Sequence, residues 1–210
     1  MPNSATSRQS KRFRELERNI KKIEKYFLPS IKVTGGYTEK EINSVRGYRL
    51  LIHAEIESYF EDIAENLAVK SLNNWRKTKK PSHVVSSILA FIKSSQKKQD
   101  IPESFDDRQR AFIEGRVTAC VASYISMLKQ NNGIKQKDIL RILLPLGIEE
   151  TEIDSTWLTE MDLFGKERGD VAHKSIGVQI SIDPATEQQK IHNNILPEIK
   201  QLDLKIKKLK

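Results

Sequence analysis

From Glu39 to Trp75 the chain runs without a proline, and after Gly47 without a glycine. Val45, Leu51, Ile52, Ile56, Tyr59, Phe60, Ile63, Leu67 and Leu72 recur along it at helical spacing. Glu55, Glu57, Glu61, Asp62 and Glu65 mostly flank that stripe. At 1.5 Å per residue such a helix is about 55 Å long, longer than the diameter of a small domain. Its apolar stripe is far too long to be covered by one neighbour. Several other segments must pack along it, and this makes it the spine of the fold.

The remaining chain supplies those segments as helices. Phe13, Leu16, Ile20, Ile23 and Phe27 predict a first helix over about 10–27, stopped by Pro29. Thr38 and Glu41 form a capping box that starts the long helix. Ser82 caps a further helix over about 82–95, and Gln96 to Asp107 reads as a linker. Phe112, Val117, Cys120, Val121, Tyr124, Ile125 and Leu128 predict a helix over about 106–130, ended by Asn131 to Gly133. A short apolar helix then breaks at Pro145. Asp154 or Ser155 caps the next, with Trp157, Leu158, Met161 and Phe164 inward. Gly177 to Pro184 reads as a short extended piece, and a last helix covers about 184–208. Residues 1–7 read as disordered, and 8–210 as a single domain with basic terminal helices. About seven helices with almost no strand signal make an all-α bundle. The scarcity of turn formers, 9 Gly and 7 Pro in 210 residues, agrees with long regular helices.

Composition narrows the function classes. The net charge is +8, concentrated in a run from Arg8 to Lys25, another from Lys200 to Lys210, and a short one at Arg76 to Lys80. Such runs suit a polyanionic partner, or simply a solvated surface. A single cysteine, Cys120, excludes an internal disulfide and a cysteine zinc cluster, and its apolar surroundings predict a buried thiol. No apolar run approaches membrane-spanning length, and the first residues lack the apolar core of a secretory signal, so a cytoplasmic protein without membrane association is expected.

Few residues offer chemistry. There are four histidines, with no HExxH pair, no CxxC, no phosphate-binding glycine loop and no nucleophile elbow. No metal or cofactor is expected. What remains is "RGDVAH", which sets Arg168 five residues before His173. This spacing arises readily by chance, so context must carry it. Five residues along a regular helix place two side chains about 140° apart. The pair converges if a helix starts near Gly169, leaving Arg168 outside it beside free N–H groups that would suit a phosphate. Asp170 then lies one turn before His173, close enough to orient the imidazole. Gly165 and Gly169 leave one helix face bare for a close neighbour, such as a second copy.

A histidine can move protons at a 2′-hydroxyl or a leaving 5′-oxygen, and an arginine can stabilise charge on a phosphate. On the long helix, His53, Glu57 and Glu61 share a face that either lines such a site or forms a solvated ladder. Arg46 and Arg49, one to two turns earlier, and Lys174 beside the motif could extend a phosphate-binding surface.

Three segments in this order resemble the HEPN superfamily, in particular its RiboL-PSP branch. They are "RGDVAH" as an Arg-x4-His motif, "RLLIHAEIESYFEDIAE" (Arg49 to Glu65) with its His-Ala-x-x-Glu pattern, and "GIKQKDILRILLPLGI" (Gly133 to Ile148). The resemblance implies an all-α HEPN-like bundle. It implies a metal-independent endoribonuclease acting on RNA, in a toxin–antitoxin, phage-defence or RNA-processing setting. It implies a homodimer whose two motifs share one composite cleft, and raises an antitoxin or defence-system protein as a partner. Carried over by position, Arg168 would polarise the phosphate and His173 would transfer protons, with Asp170, Gly169, Glu57 and His53 supporting the site. One departure stands out: many HEPN nucleases carry a polar residue after the motif arginine, where this chain has Gly169. A catalytically silent helical module that binds RNA or a protein is the alternative.

Overall fold

The spine is one uninterrupted helix, α2 (Glu39–Thr78). Its start is the expected capping box: Thr38 Oγ1 accepts from the Glu41 N–H, and the Glu41 carboxylate accepts from the Thr38 N–H at 2.7 Å. Lys32 adds a 2.8 Å ion pair to the same carboxylate, and these partners hold the Glu41 pKa down to about 2. The computed structural model describes residues 8–32, 36–92, 107–173 and 182–209, without the side chains of 107–110. The expected disordered start, most of the expected linker, Lys174, and all but the end of the expected extended piece lie outside those residues.

The other helices are α1 (Lys11–Phe27), α3 (His83–Phe91), α4 (Asp107–Lys129), α5 (Gln136–Leu143), α6 (Ser155–His173), α7 (Pro184–Gln189) and α8 (Leu196–Lys208). No strand occurs among the described residues, and the protein is all-α. Local chemistry accounts for the helix ends. Ser10 caps α1 through the Phe13 N–H, Ser82 caps α3 through the Val85 N–H, and Asp154 caps α6 through the Trp157 N–H. Asp183 caps α7, whose first residue is Pro184. Between α7 and α8 the chain stays helical through a π turn, Lys190–Ile195. Past α5, Leu144–Leu146 tightens to a 3-10 turn around Pro145 and closes at Gly147, where φ of 87° favours glycine.

The chain divides into two compact units. The first holds Met1–Tyr59, Gly133–Asp138 and Ile153–Lys208. Its core joins Phe13, Leu16 and Ile20 of α1, Val45, Tyr48, Ile52 and Ile56 of α2, Trp157, Leu158, Met161 and Phe164 of α6, and Ile195, Ile199, Leu202 and Ile206, whereas Leu51, expected on the apolar stripe, is exposed. Two polar ties are buried in it. Tyr59 donates its hydroxyl to the wholly buried Asp203, which also accepts the Ser10 N–H, and Trp157 Nε1 donates to the Ile195 carbonyl. The second unit holds Phe60–Asn132 and Ile139–Glu152, with Leu209–Lys210. In it, later α2, α3, α4 and the turn after α5 bury Phe60, Trp75, Ile88, Val121 and Leu146. Cys120 is a buried free thiol there, donating weakly to the Ile92 carbonyl, and Tyr124 donates to the Ile142 carbonyl at 2.6 Å.

Helix α4 is more apolar than the expectation of no membrane-length run allowed. Its stretch Ala111–Lys129 has a mean hydropathy of 1.2, just apolar and long enough to cross a bilayer by length and composition alone. Val117, Cys120, Val121, Tyr124 and Leu128, however, are already buried inside the protein.

Candidate functional site

Arg46, Arg49, His53 and Glu57 follow one another on α2 at intervals of three or four residues, so they form a single polar face. That face turns inward, within the first unit. Arg46, Arg49 and His53 are buried, and Glu57 is half-buried. Charge taken out of water must be paired or lost, and each group shows how.

Arg49 is paired. Its guanidinium donates to both carboxylate oxygens of Glu187, at 2.8 and 2.6 Å, and lies 3.5 Å from Glu167. Lys190 completes the cluster, 2.6 Å from Glu167 and 3.7 Å from Glu187. Burial works to lower the Arg49 pKa, but the hydrogen bonds and charge of Glu187, with the charges of Glu167 and Asp170, outweigh it and raise the pKa overall. Glu167 and Asp170 sit one turn apart at the C-terminal end of α6. The cluster thus ties that end of α6 to α2 and to the first residue of the π turn.

His53 is kept neutral instead. Its ring lies 5.9 Å from that of Phe164, and Nδ1 is 3.6 Å from a Glu57 carboxylate oxygen, too far for a hydrogen bond. The close carboxylate would favour protonation, yet the pKa falls to about 4. Burial is the larger cause and the nearby Arg168 charge the second. At neutral pH the contact with Glu57 is therefore not an ion pair. Arg46 donates to Asn43 at 2.7 Å, while its Nε has no partner among the described residues.

The motif itself lies on α6. That helix continues unbroken from Ser155 to His173, so the expected helix start at Gly169, and the phosphate-binding N–H groups with it, are not formed. The helix is carried through Gly169 by its packing: Phe164 is fully buried and Glu167 is held by Lys190. Arg168 is half-buried, near enough to His53 to act on it. His173 is exposed on the last turn. On one regular helix they stand about 140° apart and about 7.5 Å apart along the axis. Within one copy they do not converge on a point.

The two glycines differ. Gly165 is buried beneath the aliphatic stem of Lys135, so the close neighbour on this helix face is that side chain. Gly169 has open space where a Cβ would point. Arg49 and Arg46, expected on a phosphate-binding surface, are buried. Glu61 belongs to the second unit, where its carboxylate accepts from Asn131 at 3.0 Å.

Glu167, Glu187 and Lys190 were not identified from sequence. Glu187 and Lys190 stand three apart in a helical stretch, an ordinary surface pattern, and nothing local marks them as partners of Arg49. No group of three or more His, Cys, Asp or Glu side chains placed to hold a metal occurs among the described residues.

A family model described as RiboL-PSP-HEPN matches residues 10–208 of the chain. No curated protein and no solved structure matches it.

Proposed function

We propose, since the chain belongs to the RiboL-PSP-HEPN family, that it is a metal-independent endoribonuclease that cuts RNA with Arg168 and His173. The observation that carries this reading is where the motif lies: at the end of α6, with Arg168 half-buried and its charge reaching the buried, neutral His53, and His173 open to solvent. In the reaction the 2′-oxygen attacks phosphorus, the 5′-oxygen leaves, and a 2′,3′-cyclic phosphate remains. Arg168 stabilises charge on the phosphate, and His173 moves a proton at the attacking or the leaving oxygen. His53, held uncharged, neither repels Arg168 nor competes with it for the phosphate.

The divergence of Arg168 and His173 on one helix supports a composite site. Two copies, each contributing both residues across a shared cleft, would bring an arginine of one to a histidine of the other. A homodimer is therefore part of the proposal, as is a cytoplasmic toxin–antitoxin or phage-defence setting with an antitoxin or other regulatory protein.

A second reading is favoured by Gly169. It puts no polar side chain after the motif arginine, and the space there is open. On that reading the chain is a silent helical module that binds RNA or a protein. Incubating total RNA in EDTA with wild type and with His173→Ala separates the two. The nuclease reading expects cleavage to cyclic-phosphate ends by wild type alone. Wild type that binds RNA but leaves it whole at every pH leaves only the second reading.

A further inference from the structure

Six basic residues of α1 share one narrow face. Counted from Arg14 at about 100° per residue, Lys11, Arg18, Lys21, Lys22 and Lys25 fall within an arc of about 100°. The arc faces away from Phe13, Leu16 and Ile20, which are buried. Lys11, Arg18, Lys21, Lys22 and Lys25 are exposed, and Arg14 is half-buried. The stripe runs about 21 Å along the helix axis. Five of the six line an open groove of about 470 Å³ whose wall is Arg14, Glu17, Arg18, Lys21, Lys22 and Lys25. Lys21 and Lys25 continue into a second groove of about 440 Å³ beside Pro29 and Ile31.

Basic residues outnumber acidic ones two to one on and beside this face, six against Glu15, Glu17 and Glu24. Arg18 has one long, exposed ion pair with Glu15 at 3.9 Å. Glu17 shares the wall of the first groove, and Glu24, in the wall of the second, is held by His192 at 2.6 Å and accepts from the Tyr48 hydroxyl. Arg14, Lys21, Lys22 and Lys25 make no ion pair or hydrogen bond among the described residues. Holding so many like charges on one helix face costs free energy that a purely structural helix would avoid.

We infer that this face of α1 is a docking track for the phosphodiester backbone of single-stranded RNA, separate from the Arg168–His173 motif. Charge complementarity selects a polyanion, and the linear stripe selects an extended one. Tyr26, 73% exposed and next to Lys22 and Lys25 on the helix, offers a ring on which a base can stack. A membrane surface is a poorer match, because the apolar face an interfacial helix would insert is already buried. The choice of RNA as the polyanion rests on the proposed function; the track itself concerns binding and not cleavage.

The test measures binding of a short 2′-O-methyl single-stranded RNA, which cannot be cut, across a salt series. The wild type is compared with the combined variant Arg18→Gln, Lys21→Gln, Lys22→Gln and Lys25→Gln. A control of equal charge carries Lys70→Gln, Lys129→Gln, Lys137→Gln and Lys200→Gln, all exposed positions outside α1. The α1 variant is expected to bind at least tenfold more weakly at low salt. Its log-affinity against log-salt slope should fall by about two to three, near 0.7 for each phosphate no longer neutralised. The control should keep most of the wild-type slope. An unchanged slope in the α1 variant overturns the inference, as does an equal loss in the control. Loss of binding to anionic phospholipid vesicles with RNA binding intact overturns it too. If the wild type cuts RNA but the slope does not move, the inference falls and the nuclease reading stands. If the slope falls in a protein that never cuts, the reverse holds.

Discussion

The Arg49 guanidinium and the Glu187 carboxylate meet in two parallel hydrogen bonds, Nε to Oε2 at 2.8 Å and Nη2 to Oε1 at 2.6 Å, across 138 residues of sequence. Both side chains are almost wholly out of water. Removing one partner strands the other. Arg49→Ala is expected to cost about 3 kcal/mol in urea unfolding, toward the lower end for a broken buried pair because Lys190 remains 3.7 Å from Glu187. The double variant with Glu187→Ala should be clearly less damaging than the two single losses added together. A cost for Arg49→Ala within the range of ordinary surface substitutions would show that the pair holds nothing.

His53 makes stability depend on acid. Its pKa is 6.5 as a free side chain and about 4 in the fold. Between those values the unfolded chain binds the proton and the folded chain does not, so stability falls as pH falls. The contribution is complete above about pH 6.5 and lost progressively down to about pH 4, amounting to at most about 3 kcal/mol. Unfolding measured from pH 7 to pH 4 should be shallower in pH for His53→Phe than for wild type. Equal slopes would place His53 in contact with water.

The two glycines of α6 should respond in opposite directions. An alanine Cβ at Gly169 meets nothing within 4 Å, so Gly169→Ala should stabilise the helix by about 0.5–1 kcal/mol. At Gly165 the Cβ would lie 2.7 Å from Lys135 Cγ, and the side chain must shift. Gly165→Ala is expected to cost about 1–3 kcal/mol, as overpacking does, and shortening Lys135 to alanine should recover part of it. Thermal melts of the single and double variants decide this. Gly169→Asn would restore a polar residue after Arg168, and a rise in RNA cleavage is the expected result.

Arg168 and His173 should be separable. His173 is exposed, so His173→Ala should leave the melting temperature near wild type while lowering cleavage by about 10²–10⁴-fold. Arg168→Ala also removes a positive charge acting on His53. The His53 pKa should then rise toward its ordinary value, measurable in the imidazole chemical shifts, and the acid destabilisation should weaken. A His53 titration indifferent to Arg168 would contradict the proximity of the two.

Much of this molecule was readable in its residues because helices are specified locally. The capping box at Thr38 and Glu41, the cap at Ser82, one of the two caps open at Asp154 or Ser155, and the break at Pro145 all act within a few residues and form, while α3, expected to run to Ser95, stops at Phe91. The choice at Gly169 was not local. Glycine there permits a helix start, but the burial of Phe164 and the Lys190–Glu167 pair carry α6 through it. The motif's spacing was legible for the same reason that its geometry was not.

By itself the sequence determined an all-α chain, several of its helix caps, and a face of α2 holding His53 and Glu57 with Glu61 a turn beyond and Arg46 and Arg49 one to two turns before. Periodicity and capping depend on near neighbours, which any reader of the chain can see. Only the tertiary structure decided that this face turns inward. It paired Arg49 with Glu187, left His53 neutral beside Arg168, and set Arg168 and His173 in different directions. A charge takes its energy from the water it loses and the partner it gains. Here both come from segments more than a hundred residues away.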